Sequence, residues 1–255
     1  MNVLLAVVLL CAGAPVMAAQ TIVLKAARLF DGKSGSLQTP GLVVVNGPKI
    51  VAAGGGQSIP PDAEVRDLGD ATLLPGFMDA HTHLRGERTG DSKADTLERL
   101  QATVPEMTLH AAALARKTLM AGFTTVRDLG SNDFIDVGLR NAIARGLTEG
   151  PRILAAVRGI GTIGGHCDPT NSFRFGVVQP GADQPTVATG PDAMRAAVRW
   201  NVKYGADVIK TCATGGVLSL NDDVDSPQLT QEELNALVDQ AHTMRRRAAA
   251  HAHGA

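Results

Sequence analysis

Two histidines one residue apart, His81 and His83, follow the apolar segment "LLPGFMDA". In an extended strand residues i and i+2 share one face, so both imidazoles are expected to point at a single position. Imidazole is a common ligand of divalent metal ions. Taken alone, the pair leaves two interpretations open: two ligands of one metal ion, or a polar turn that carries two histidines by chance.

Further polar side chains end two other apolar segments. Lys210 closes "GADVIK" and is followed by "TCATGGV", and His251 and His253 lie in the final segment "RAAAHAHGA". A buried ammonium costs several kcal/mol unless it is paired. Lys210 could reach solvent along its aliphatic stem. Alternatively, its neutral amine could be modified by CO₂ to a carbamate, whose two oxygens could bridge two divalent ions as a carboxylate does.

The region from residue 76 to 255 alternates strand-like and helical patterns, which is typical of a parallel α/β fold. Five apolar strands are predicted, and they fit five of the eight strands of a (β/α)₈ TIM-like barrel. A doubly wound open sheet is the alternative, but no glycine fingerprint for a dinucleotide follows the first strand. The predicted helices cover residues 108–120, a segment with Ile135, Leu139 and Ile143 on one face, residues 191–205, and a segment that begins at a capping box of Thr230 and Glu233.

In such a barrel the side chains that do chemistry lie at the carboxyl ends of the strands. The first, fourth and fifth predicted strands each deliver a metal-binding or titratable group at that end. This coincidence favours the metal interpretation of His81 and His83. Arg127 and Asp128, at the end of the second strand, are predicted to form a structural ion pair.

Two segments precede the barrel. Residues 1–19 have an apolar core followed by small residues, which predicts a secretory signal peptide and a periplasmic or secreted protein. Residues 20–72 show short apolar runs separated by turn signals and are predicted to form a small all-β domain, with residues 73–255 as the barrel part. Cleavage leaves Cys167 and Cys212, which could form one bridge or remain free.

The composition excludes some partners. The chain of 255 residues has a net charge of −1 and 3% aromatic residues, and its densest basic cluster, at Arg245–Arg247, has no aromatic residue beside it. Nucleic-acid binding is therefore not expected. No membrane association is expected after signal cleavage, and assembly into a homo-oligomer stays open.

Four motifs together, "PGFMDAHTHL", "AGFTTVRDLG", "GADVIKTCATGGV" and "AAAHAHG", resemble the amidohydrolase superfamily, in particular its Xaa-Pro dipeptidase (prolidase-like) and imidazolonepropionase-like branch. The resemblance implies an N-terminal β-sandwich before the barrel. It also implies two divalent metal ions, most simply Zn²⁺. His81 and His83 would bind one ion, a carboxylated Lys210 would bridge both, and His251 would bind the second.

The resemblance also implies roles in substrate binding. His166, in "GIGTIGGHCDPTN", matches a family histidine that contacts the substrate's carboxylate, although it could equally be a loop histidine without a role. His253 would lie beside the site, and the same-face argument leaves it open as a further metal ligand.

The implied activity is hydrolysis of an amide or peptide bond by a metal-activated bridging water, with a dipeptide such as Xaa-Pro as the first substrate. A cyclic amide or imidazolone, an N-acyl amino acid or a carbamate are alternatives. The family also uses a histidine after strand six and a catalytic aspartate after strand eight, whereas this sequence stops just past strand five. We therefore expect a C-terminally truncated chain without its catalytic residue, or, in a different class, an inactive metal-binding fragment.

Overall fold

The computed structural model describes residues 20–171, 173–177, 185–217, 219 and 221–254. The predicted signal peptide lies outside the described residues. The described chain forms two compact units, the first ending at Pro75 and the second beginning at Gly76.

The first unit contains two sheets and, among its described residues, no helix. In one sheet the order is β5-β4-β1-β6, and in the other it is β3-β2-β7. Val23, Leu42 and Val44 form the buried centre of the larger sheet. The pairing of the two sheets into a sandwich stays a prediction. The strands are β1 (Thr21–Ala26), β2 (Arg28–Phe30), β3 (Leu37–Gln38), β4 (Gly41–Asn46), β5 (Lys49–Ala53), β6 (Glu64–Asp67) and β7 (Thr72–Leu73).

The second unit alternates parallel strands and helices, which confirms the predicted α/β class. Its two three-stranded parallel sheets have the orders β10-β9-β8 and β11-β12-β13. The elements are β8 (Phe77–Thr82), α1 (Ser92–Gln101), α2 (Val104–Met120), β9 (Phe123–Asp128), α3 (Ile135–Ala144), β10 (Arg152–Ala155), β11 (Gly159–Ile160), α4 (Pro191–Lys203), β12 (Val208–Cys212), α5 (Gln231–Thr243) and β13 (Arg247–His251).

Local capping explains where two helices begin. The predicted capping box of Thr230 and Glu233 starts α5. A second capping box, Thr103 with Glu106, starts α2 four residues before the predicted position. The separate helix α1, which the sequence reading missed, begins where the Asp91 side chain accepts two backbone N–H groups.

The third predicted strand is interrupted in the structure, because β10 ends at Ala155 and β11 begins at Gly159. Val157, between β10 and β11, has a φ of 67°, a left-handed conformation that β-branched residues rarely adopt. Its N–H donates to Asp136 Oδ2 at 2.7 Å and its carbonyl accepts from Ser131 N–H at 2.8 Å. These bonds stabilise the break, and the strand continues as β11 in the second sheet.

The helices cover one side of these sheets with apolar side chains. Ala111 and Ala115 of α2 and Leu139 of α3 pack on Val126 and Ile153 of the first sheet. On the second sheet, Ile160 and Ile209 are covered from α4 and α5 by Met194, Ala197, Val198, Leu237 and Ala241. In the part of the chain that the structure describes, no helix is long and apolar enough to cross a bilayer.

Candidate metal centre

The predicted metal-binding side chains lie near the carboxyl ends of three parallel strands. His81 is the penultimate residue of β8, and His83 directly follows that strand. Lys210 lies within β12, which continues two residues beyond the predicted end to Cys212. His251 ends β13 and pairs in register with Cys212. The fold therefore brings groups at the carboxyl ends of strands from both sheets together, with Lys210 Nζ 3.4 Å from His81 Nε2.

Lys210 is the most buried of these groups. Its residue is 3% exposed, and its Nζ lies 3.4 Å from Nε2 of His81. Burial, and then the charge of Arg127, lowers the pKa of Lys210 to about 8. The pKa of His81 is lowered to about 4, first by burial and then by the charge of Lys210. His81 is therefore a neutral imidazole at neutral pH, the form that binds metals.

Hydrogen bonds determine which nitrogen of two histidines remains free. Nδ1 of His83 lies 3.0 Å from the carbonyl oxygen of Gly130, and Nε2 of His251 lies 3.1 Å from the carbonyl oxygen of Gly215. A carbonyl only accepts, so these nitrogens carry the hydrogens. The lone pairs are then on Nε2 of His83 and Nδ1 of His251, and this is the usual arrangement of a metal-ligating histidine with an outer partner. Burial lowers the pKa of both rings.

The end of β9 holds the histidine segment in place. Leu84 N–H donates to Asp128 Oδ1 at 3.0 Å, and Leu129 N–H donates to the carbonyl of Thr82 at 3.0 Å. Asp128 is 1% exposed, and burial, together with the nearby charge of Asp136, raises its pKa to about 7.

The predicted ion pair of Arg127 with Asp128 is wrong, because each side chain has a different partner. Arg127 Nε donates to the carbonyl of Ala80 at 2.7 Å, whereas the Asp128 carboxylate accepts from Leu84 N–H. Adjacent residues of a strand point to opposite faces, and this signal was present in the sequence.

His166 lies against His251. The two rings stack with their centroids 4.1 Å apart. His166 N–H donates to Gln228 Oε1 at 2.9 Å, and its Nδ1 lies 2.6 Å from Ser219 Oγ. A Cβ added to Gly216 would collide with the imidazole, so glycine is required there by the close approach of the ring. The sequence reading found His166 but not Gln228, Ser219 or Gly216, which are distant in the chain.

His253 is exposed and its ring lies 4.8 Å from that of His251. Its backbone N–H donates to Thr214 Oγ1 at 3.0 Å. The structure thus brings His253 beside the other histidines, and its role in substrate binding stays a prediction.

Cys167 and Cys212, whose pairing the sequence left open, form a disulfide with their Cα atoms 5.8 Å apart. The bond joins the loop that carries His166 to β12, the strand that carries Lys210.

The donor set determines whether a divalent ion fits. Among the described residues, no three His, Cys, Asp or Glu side chains lie together as a metal cluster. His81 and His83 form one pair, with ring centroids 5.2 Å apart, and Lys210 lies beside His81. A carbamate on Lys210 would add two anionic oxygens to these neutral imidazoles, a nitrogen and oxygen set that suits Zn²⁺. The residues therefore fit a divalent ion when the lysine is modified.

The chain is similar to known proteins over most of its length. Residues 72–255 match the model described as "Amidohydrolase family". The ochratoxinase of Aspergillus niger is 31% identical over 254 residues, which cover 92% of this chain and 51% of that protein. The chain thus spans about half the length of this curated relative.

Two solved structures are similar over most of the chain. One is a Xaa-Pro dipeptidase with bound methionine in the active site, at 38% identity and a TM-score of 0.81, covering 92% of this chain and 57% of that one. The other is a prolidase complexed with N-methylphosphonate-L-proline, at 29% identity and a TM-score of 0.78, covering 91% of this chain and 56% of that one.

Proposed function

This chain belongs to the amidohydrolase family, and from that premise we propose that the full-length protein hydrolyses the amide or peptide bond of a small substrate with a free carboxylate. An Xaa-Pro dipeptide is the first candidate. The observation that carries the proposal is that His81, His83, Lys210 and His251 lie at the carboxyl ends of three parallel strands, with Lys210 beside His81 and with His166 stacked on His251.

Four side chains would hold two divalent ions, most simply Zn²⁺. His81 and His83 would bind one ion, His251 would bind the other, and a carboxylated Lys210 would bridge them. When bound, such ions supply an activated water nucleophile and polarise the scissile carbonyl. The lowered pKa of Lys210, about 8, supports its modification, because the neutral amine is the form that reacts with CO₂.

His166 would receive the substrate's carboxylate. Its imidazole can donate a hydrogen bond to an anion in either charge state. Gln228 holds the backbone of His166, and Ser219 contacts Nδ1, which leaves Nε2 as the nitrogen for the ligand. The ligands of the two similar solved structures support this class of substrate, since methionine and an L-proline derivative both carry a carboxylate.

We place the mature protein in the periplasm or outside the cell. The apolar segment at residues 1–19 supports this proposal, as does the disulfide of Cys167 with Cys212, since disulfides persist in oxidising compartments. The two sheets of the first unit are proposed to form the β-sandwich that the family resemblance implies.

The decisive experiment compares a dipeptide with its C-terminal amide as substrates of the full-length protein. Losing the carboxylate should lower kcat/KM by about 10- to 150-fold, which corresponds to the roughly 1.5–3 kcal/mol of a hydrogen bond to a charged group. The variant His166→Ala should be nearly indifferent to the same change. His242→Ala, an exposed histidine in the last turn of α5, serves as the matched control and should discriminate like the native protein.

Equal discrimination by the native protein and His166→Ala would remove His166 from the substrate site. Absence of hydrolysis of any amide by metal-replete native protein would contradict the proposed function itself.

A further inference from the structure

We propose that the disulfide between Cys167 and Cys212 positions His166, so that affinity for a carboxylate-bearing ligand depends on the redox state of this bond. The inference rests on the proposed function, because the disulfide would act by positioning a residue of the proposed substrate site. Cys167 follows His166 directly, and Cys212 lies two residues beyond Lys210.

The bond attaches the His166 loop to the sheet in a way that its hydrogen bonds do not. Gln228 and Ser219, the hydrogen-bond partners of His166, both lie on the segment between β12 and α5. Those contacts therefore join one loop to another loop. Cys212 belongs to β12, is 1% exposed and pairs in register with His251. The disulfide thus fixes the loop to the strand next to the ring on which His166 stacks.

Two glycines make room for Cys167 against the neighbouring strand. A Cβ at Gly159 would lie 2.6 Å from Cys167 Sγ, and one at Gly161 would lie 2.6 Å from Cys167 Cβ. Neither glycine has a positive φ, so the backbone conformation does not require glycine at either position. The close approach of Cys167 does, and this second observation also places the cysteine against the sheet.

Reduction would release this attachment. A dithiol such as dithiothreitol breaks the sulfur–sulfur bond by exchange, giving two protein thiols while the dithiol itself is oxidised to a cyclic disulfide. Two electrons and two protons thus pass from the reductant to the cysteines. His166 then keeps its hydrogen bonds with Gln228 and Ser219 and its ring stacking on His251, but its loop loses the covalent attachment to β12. The imidazole of His166 then occupies a wider range of positions, and its hydrogen bond to a ligand carboxylate is less well aligned.

The test measures ligand binding, so that it does not depend on turnover. The full-length protein is reduced with dithiothreitol, desalted without oxygen, and titrated by calorimetry with N-methylphosphonate-L-proline, which has no scissile amide bond, and with its carboxamide. Reduction should raise the Kd of the carboxylate about tenfold and leave that of the amide unchanged. Thiol titration should give two new thiols per chain, and elemental analysis should show an unchanged metal content.

The double variant Cys167→Ser with Cys212→Ser is the matched control. It should bind the carboxylate as weakly as the reduced native protein and should not respond to dithiothreitol. An unchanged ratio of the two Kd values in fully reduced native protein would overturn the inference, as would equal weakening of acid and amide. Failure of the proposed function is seen separately, as binding of the carboxylate without hydrolysis of any dipeptide.

Discussion

The carboxylate of Asp128 provides a test of how the histidine pair is positioned. Its Oδ1 accepts the N–H of Leu84, the residue after His83. The carbonyl of Gly130, two residues after Asp128, lies 3.0 Å from Nδ1 of His83. We predict that Asp128→Ala weakens metal binding although Asp128 is not a proposed ligand.

The magnitude follows from the buried hydrogen bond. Asp128 is 1% and Leu84 6% exposed, so the variant leaves a buried N–H without its acceptor, which costs about 1–3 kcal/mol. The segment can recover that free energy only by moving, and His83 moves with it. Loss of an outer partner of a ligating histidine typically lowers metal affinity by about 10- to 100-fold, and we expect an effect in this range.

Asp136→Ala is the matched control, because Asp136 is equally buried at 1%. Its carboxylate accepts the N–H of Val137 and of Val157 and has no hydrogen bond with the histidine segment among the described residues. This variant should lose a similar free energy of unfolding but keep the native affinity for Zn²⁺.

Two measurements separate the variants. Competition with a chromogenic chelator gives the Kd for Zn²⁺, and urea unfolding of the metal-free proteins gives their stability. The unfolding is done at pH 5, where the raised pKa values of both carboxyls keep them mostly protonated in the folded state. Native affinity in Asp128→Ala, or equal weakening in both variants, would refute the positioning argument.

Three further predictions concern other side chains. Lys210→Ala should reduce the metal content below the proposed two equivalents and abolish most activity of the full-length protein, with partial rescue by a short carboxylic acid; native metal content and activity would show that the lysine only packs. Burial raises the pKa of Asp136 from 3.8 to about 6, so ionisation favours the unfolded state. The stability of the native protein relative to Asp136→Ala should therefore fall by about 2 kcal/mol from pH 4 to pH 8, and a constant difference in urea unfolding would contradict this. Thr230→Ala removes the capping box of α5 and should cost about 1 kcal/mol in urea unfolding, whereas Thr230→Ser should cost little; equal losses in both would argue against capping.

Much of the second unit could be predicted from local patterns. Apolar runs and helical periodicity located the strands and helices, and the capping box of Thr230 and Glu233 marked the start of α5 because its two reciprocal hydrogen bonds join residues only three apart. The sequence singled out Lys210 because a lysine is rare at the end of an apolar strand. The structure buries this residue to 3% exposure, which contradicts the alternative that its amine reaches solvent.

Features that depend on distant residues escaped this reading. The break at Val157 is stabilised by Asp136, which lies 21 residues earlier. The disulfide joins cysteines 45 residues apart, and spacing alone cannot say whether two strand-end loops approach each other. The partners of His166, Gln228 and Ser219, lie 62 and 53 residues away from it. Only the folded chain brings these groups together.

The interruption at Val157 would make the stability of the second unit depend on metal binding. His81 and His83 are attached to one sheet, and Lys210 and His251 belong to the other. Hydrogen bonds between Ala155 and Asp207 already join the two sheets. An ion that takes ligands from both sheets would add a further cross-link, so its binding free energy would contribute to folding stability. Scarcity of the ion in the surroundings would then lower the stability of the second unit and raise its susceptibility to proteases. Shortage of the metal would thus lower the amount of folded protein as well as its rate of turnover.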